Sequence, residues 1–95
     1  MNNPGVYIIK SEKNGRYYVG STGNIEQRLE FHNKGLVKAT ANIRPLLLKI
    51  FVVCDSITEA KQAEYRLKKY KRRDILEKVI RDGTFPWNYL DTMPV

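Results

Sequence analysis

Tyr7 and Tyr18 lie in β-branched and aromatic runs on either side of Asn14-Gly15, and Arg28 follows ten residues after the second tyrosine, with His32 one helical turn beyond. Asn-Gly between two such runs signals a hairpin, and side chains that alternate along its strands put both phenols on one face, beside Gly20. A two-residue turn pairs Lys13 with Arg16, Ile9 with Gly20 and Tyr7 with Thr22. The phenols then stand about four residues, roughly 13 Å, apart along the ribbon. Convergence on one phosphate requires a longer loop with the pairing slipped by two residues; otherwise the tyrosines are core or rim of a sheet. Arg28 and His32, at i and i+4, share a face if they lie on a helix. A guanidinium's planar fork and permanent charge suit phosphate oxygens, and an imidazole one turn away can donate to the same group or move a proton. The plainer alternative is an exposed arginine paired with Glu26 or Glu30, and a structural histidine.

Glu64 is the only acid between Lys61 and Arg73 and sits beside an apolar stripe of Ala60, Ala63 and Leu67. Ionised in that cationic field, it suits a hard divalent cation, or else a salt bridge to Lys61 or Lys68. Arg66, Lys68, Lys69, Lys71, Arg72 and Arg73 put six cations within eight residues, with no acid among them. Seventeen Lys+Arg against ten Asp+Glu give a net charge of +7. Such a balance favours a polyanionic partner, the alternative for the run being a solvated helix face.

Other chemistry is excluded by composition. One cysteine, Cys54, and one histidine, His32, make neither an internal disulfide nor a Cys/His zinc site. A carboxylate-bound cation such as Mg²⁺ stays open, because it needs few protein ligands. No apolar stretch approaches the ~18–20 residues that span a bilayer, and Met1-Asn2-Asn3-Pro4 has no basic flank, so no signal peptide is expected. A reducing cytoplasm suits a chain held together by its core alone.

These residues need elements to position them. Gly5 to Lys10 and Arg16 to Gly20 are the hairpin strands. Asn24 is a candidate N-cap for a helix over 25–33 carrying Ile25, Leu29 and His32, with Asn33-Lys34-Gly35 as its C-cap. Residues 36–45 lack a period and read as a surface loop. Leu46 to Cys54 reads as a third, buried strand. Ser56 and Glu59 fit a capping box that opens a helix from Ile57 to about Tyr70, and Ile75, Leu76, Val79 and Ile80 mark another, ended by Asp82-Gly83. The aromatic tail Phe85-Pro86-Trp87-Asn88-Tyr89 is expected to pack back on the core. The order β-β-α-β-α-α predicts an α+β fold: one small, three-stranded, mainly antiparallel sheet flanked by helices. With no repeats or low-complexity segments, residues 1–95 read as a single domain with a core of about 4–89.

Taken in chain order, Gly5-Val6-Tyr7, Tyr18-Val19-Gly20, Arg28 with His32, and Glu59-Ala60 followed by Glu64 resemble the GIY-YIG nuclease superfamily, with valine for isoleucine in both triplets. The likeness extends to small stand-alone members, to the nuclease domain of the bacterial excision-repair subunit and to homing endonuclease catalytic domains. Pro86-Trp87-Asn88 is similar to a Pro-x-aromatic-Asn element near the end of some members. Ser21 departs from the lysine that excision-repair relatives often carry there, and Glu64 to Asn88 is a longer separation than in some members.

The resemblance implies a metal-dependent endonuclease that hydrolyses DNA phosphodiester bonds, in repair, recombination or mobile-element biology. It implies one Mg²⁺ or Mn²⁺ ion held by Glu64, Tyr7 or Tyr18 as general base, Arg28 on the phosphate, and His32 assisting by hydrogen bonding. Gly5, Gly20 and Asn88 take supporting roles. A phenol's pKa near ~10 requires neighbouring positive charge if it is to act as a base. The 66–73 run would follow the sugar–phosphate backbone without reading bases. DNA is the implied partner, with RNA also open and a protein partner to supply targeting, since no DNA-recognition domain accompanies the chain. A weak or partner-dependent nuclease suits that organisation. The alternative reading is a non-catalytic nucleic-acid-binding module on the same fold, and the third a protein-interaction scaffold.

Overall fold

The computed structural model describes residues 3–87. Its elements are β1 (Gly5–Ser11), β2 (Tyr17–Thr22), α1 (Ile25–Asn33), β3 (Leu46–Val53), α2 (Ile57–Tyr70) and α3 (Arg73–Asp82). All strand pairs are antiparallel, in the order β2-β1-β3. The α+β class and the element order are as the sequence predicts.

β1 lies in the middle and is buried on both faces, with Val6, Tyr7, Ile8 and Ile9 all 3% exposed or less. Val6 and Ile8 point to one side, where Ala60, Ala63 and Leu67 of α2, Val79 of α3 and Phe85 close over them. Tyr7 and Ile9 point to the other, against Leu46, Ile25, Leu29, Ile43 and Phe51. Strand alternation thus makes two cores, one on each face of the sheet. β3 is not the buried strand its apolar run suggests. With β1 central it becomes an edge, leaving Leu47, Leu48 and Val53 at 46%, 39% and 58% exposure.

The local signals largely hold. Asn24 caps α1 by accepting from the Gln27 amide at 3.1 Å, and Ser56 caps α2 by accepting from the Glu59 amide at 3.1 Å. α2 ends at Lys71, a left-handed residue with φ 51°, and the chain turns there into α3. Phe85 is buried and stacks on Trp87 with ring centroids 4.6 Å apart, so the tail packs back as far as Trp87. Asn88 and Tyr89 lie outside the described residues. Among those described, no helix is long and apolar enough to cross a membrane.

The hairpin turn is different from the two-residue form. Tyr7 pairs with Gly20, Ile9 with Tyr18 and Lys10 with Tyr17, around a loop of residues 12–16. The register is slipped by two residues, as convergence of the phenols requires. The physical cause is Ser11. Its buried hydroxyl accepts from the Lys13 and Asn14 amides, both at 3.1 Å, and donates to the Ile43 carbonyl at 2.6 Å. These bonds hold the longer loop against the connection that follows α1.

Residues 36–45 are also more than a surface loop. Thr40 is 1% exposed, and a short 3-10 turn covers Ala41–Ile43. Asn33 pins the return into β3, accepting from the Leu46 amide at 2.8 Å and donating to its carbonyl at 3.0 Å.

Candidate active site

β2 is an edge strand, with α2 packed on one face of the sheet and α1 on the other. Alternation puts Tyr18 and Gly20 on the α1 face and Tyr17, Val19 and Ser21 on the α2 face, as their partners on β1 dictate. A cleft of about 610 Å³ wraps this edge. Tyr7, Tyr18, Arg28 and His32 line it from one face, and Ser21, Glu64 and Lys68 from the other.

Tyr7 reaches the cleft from the central strand only because Gly20 has no side chain. A Cβ there would overlap the Tyr7 hydroxyl oxygen and two ring carbons. Gly5 serves a similar need on the other edge, where a Cβ would stand 2.5 Å from the Val52 carbonyl oxygen and 2.6 Å from the Phe51 ring. The Tyr7 oxygen lies 2.9 Å from His32 Nε2 and accepts from Arg28 Nε at 3.2 Å. His32 Nδ1 lies 2.7 Å from Thr40 Oγ1. The imidazole is 4% exposed; burial, and then the neighbouring Arg28 charge, hold its pKa below the ordinary histidine value. Both effects favour the neutral imidazole.

Across the strand edge, Glu64 Oε1 accepts from the Ser21 hydroxyl at 2.5 Å, and Oε2 pairs with Lys68 Nζ at 2.5 Å. The carboxylate keeps 21% side-chain exposure, so it faces the cleft. The i,i+4 salt bridge that the sequence left open is present with Lys68. Among the described residues no group of three or more His, Cys, Asp or Glu could hold a metal ion.

The basic run divides. Lys68, Lys71, Arg72 and Arg73 line the cleft, because the left-handed turn at Lys71 folds the start of α3 back toward β2. Arg73 stacks on Tyr17 at 4.4 Å and donates to the Gly15 carbonyl at 2.8 Å. Arg72 pairs with Asp74 at 2.6 Å. Arg66 lies over Trp87 at 4.5 Å and Lys69 over Tyr65 at 5.1 Å, both away from the cleft. Helical periodicity thus sends two of the six cations elsewhere. Arg16, Ser21 and Thr40 are site residues that the reading by type and spacing passed over. Ser21 could have been found as a polar residue on the inward face of its strand; Thr40 sits in a stretch with no period to place it.

The edge-strand cleft thus gathers Tyr7, Tyr18, Arg28, His32 and Glu64 into one lining. A family model described as the GIY-YIG catalytic domain matches residues 3–78. The chain belongs to the GIY-YIG family. Among its relatives, a UPF0213 protein of Staphylococcus haemolyticus is 36% identical over 75 residues, covering 78% of this chain and 90% of the relative. One of Clostridium perfringens is 34% identical over 85 residues, covering 88% and 90%. One of Halobacterium salinarum is 37% identical over 68 residues, covering 70% and 87%. No solved structure gives a significant match.

Proposed function

We propose that this protein is a metal-dependent endonuclease that hydrolyses phosphodiester bonds in DNA. The observation that carries this reading is the convergence of Tyr7, Arg28 and His32 with Glu64 on one cleft, from opposite faces of an edge strand.

Arg28 would hold the non-bridging oxygens of the scissile phosphate, where its permanent charge opposes the charge growing in the transition state. Tyr7, within hydrogen-bond reach of both Arg28 and His32, would take a proton from water. Glu64 would hold the cation. A single carboxylate steadied by Ser21 fits Mg²⁺ or Mn²⁺, because such ions keep several waters and complete their shells with phosphate oxygens. When bound, the ion supplies charge stabilisation at the phosphate and the leaving oxygen. Lys68 is half exposed, and an exposed i,i+4 pair is worth only about 0.3–0.5 kcal/mol. Glu64 is thus released from Lys68 at little cost. The cations Lys71, Arg72 and Arg16 at the rim bind the sugar–phosphate backbone on either side of the cut.

A second reading, a nucleic-acid-binding module without catalysis, is favoured by one observation. Both Glu64 oxygens already have protein partners. Cleavage of supercoiled plasmid with Mg²⁺, Mn²⁺ or EDTA separates the two, comparing wild type with Glu64→Ala and Arg28→Ala matched by circular dichroism. Metal-dependent nicking lost in both variants supports the nuclease. No cleavage above the variants on plasmid, branched, single-stranded or RNA substrates refutes it, and salt-sensitive binding indifferent to Glu64 then supports the binding module.

A further inference from the structure

We propose that Thr40 is a positioning residue that holds His32 as the Nδ1–H tautomer, so that Nε2 accepts the phenolic proton of Tyr7 and makes Tyr7, not Tyr18, the base. The tautomer stands on geometry alone; the proton relay rests on the nuclease reading above.

Only one direction of the hydrogen-bond chain gives every proton in it a protein acceptor; the Val37 carbonyl, which accepts from the Thr40 amide at 3.1 Å, takes the hydroxyl proton as well. Arg28 Nε–H can donate and never accept, so it uses a lone pair of the Tyr7 oxygen, 3.2 Å away. At the far end, the Val37 carbonyl can only accept, and Thr40 Oγ1 lies 3.5 Å from it. The same hydroxyl is 2.7 Å from His32 Nδ1. With its single proton turned to Val37, Thr40 offers a lone pair to the imidazole, and Nδ1 must carry a hydrogen. In a neutral ring Nε2 then has the free pair, and it faces the Tyr7 hydroxyl at 2.9 Å. The protons therefore run Arg28 to Tyr7 to His32 to Thr40 to Val37. Reversal puts two donors, Arg28 Nε–H and His32 Nε2–H, on one phenol oxygen and leaves the phenolic proton without a protein acceptor.

Thr40 and His32 are 1% and 4% exposed, so water is poorly placed to substitute for the hydroxyl. The low proton affinity of the imidazole, set by burial and by Arg28, keeps the Nε2 pair free near neutrality. Tyr18 shares the cleft but has no imidazole against its hydroxyl.

The chemical consequence is a relay. Arg28 occupies one lone pair of the Tyr7 oxygen, and the other is left for a water in the cleft. As the water oxygen forms its bond to phosphorus and the bond from phosphorus to the leaving oxygen breaks, a water proton passes to the Tyr7 oxygen. The phenolic proton moves to His32 Nε2 in the same step, and the leaving oxygen is protonated from solvent. His32 afterwards returns its proton through Tyr7 to water. The Nε2–H tautomer cannot accept that proton, so loss of the Thr40 hydroxyl acts on the base without touching substrate.

The chain has a single histidine, so its imidazole resonances need no assignment. In full-length protein carrying ¹⁵N-histidine, long-range ¹H–¹⁵N correlation at neutral pH is expected to show Nδ1 protonated and Nε2 bare. Thr40→Ser is expected to keep that pattern, and Thr40→Val to move it toward Nε2–H. Thr40→Val should lower kcat about 10- to 100-fold with KM little changed, a part of the roughly 10²–10⁴-fold that a positioned general base supplies; Thr40→Ser should restore most of it. A wild-type Nε2–H tautomer overturns the proposal without need of any variant. So does a Thr40→Val protein that keeps the wild-type pattern or cuts at the wild-type rate. A chain that shows the expected tautomers but cuts nothing supports the positioning role and overturns the relay together with the nuclease reading.

Discussion

Gly20→Ala adds one methyl group at the point where the site depends most on its absence. The new carbon would fall inside contact distance of the Tyr7 hydroxyl oxygen and two of its ring carbons. Tyr7 is 3% exposed, packed among Ile9, Leu46 and Leu29, and tied at its oxygen to His32 and Arg28, so it has no empty space to enter. Overpacking of this kind costs about 1–3 kcal/mol, and a His32 nitrogen left buried without its partner about 1–3 more. Together these give about 2–5 kcal/mol, a large part of the roughly 5–15 kcal/mol that holds a domain folded. At about 4–8 °C per kcal/mol for a chain of this size, Tm should fall by roughly 8–40 °C. Thermal unfolding by circular dichroism reads this directly. The informative comparison is Tyr7→Val, which removes the ring the methyl group meets. In that background Gly20→Ala should cost no more than about 0.5 kcal/mol, a coupling of about 1.5 kcal/mol or more between the two positions. Equal cost in both backgrounds would refute the packing argument and assign the glycine's role to the backbone.

Further outcomes follow from other contacts. His32 binds its proton less readily when folded than at the ordinary value of about 6.5. Below that pH the unfolded chain takes up a proton that the folded chain refuses, so this part of the stability is full above about 6.5 and declines as pH falls. Urea unfolding between pH 7.5 and 5.5 should show the decline, and His32→Gln should flatten it. Lys71→Ala and Arg72→Ala should each weaken DNA binding and reduce the slope of log affinity against log salt by about one. Arg66→Ala and Lys69→Ala, which point away from the cleft, should leave that slope unchanged in fluorescence anisotropy. Ser21→Ala removes the donor on Glu64 Oε1 and should weaken Mn²⁺ binding by about tenfold, read by electron paramagnetic resonance; unchanged binding would show that Glu64 is held well enough by its helix.

Much of this fold is written locally. Asn24 and Ser56 cap their helices through bonds spanning three residues, and the apolar period of α2 and α3 depends on neighbours a turn away. Such features are legible because their partners are close in the chain. The order β-β-α-β-α-α and the GIY-YIG motif residues could therefore be read from residue types and spacing alone. The hairpin register could not, because Asn14-Gly15 favours the short turn locally. A buried Ser11 hydroxyl bonded to Ile43, 32 residues on, selects the longer loop, and only that register sets Tyr7 opposite Gly20. The apolar run of β3 looks buried until β1 takes the centre of the sheet. The basic run looks continuous until the period of α2 and the left-handed Lys71 divide it between the cleft and the far side. Thr40 has no local pattern at all; its role arises from burial beside His32. The site itself is a property of the tertiary structure. Glu64 and Arg28 belong to helices on opposite faces of the sheet, and they line one cleft because β2 is an edge that side chains can reach around from both sides.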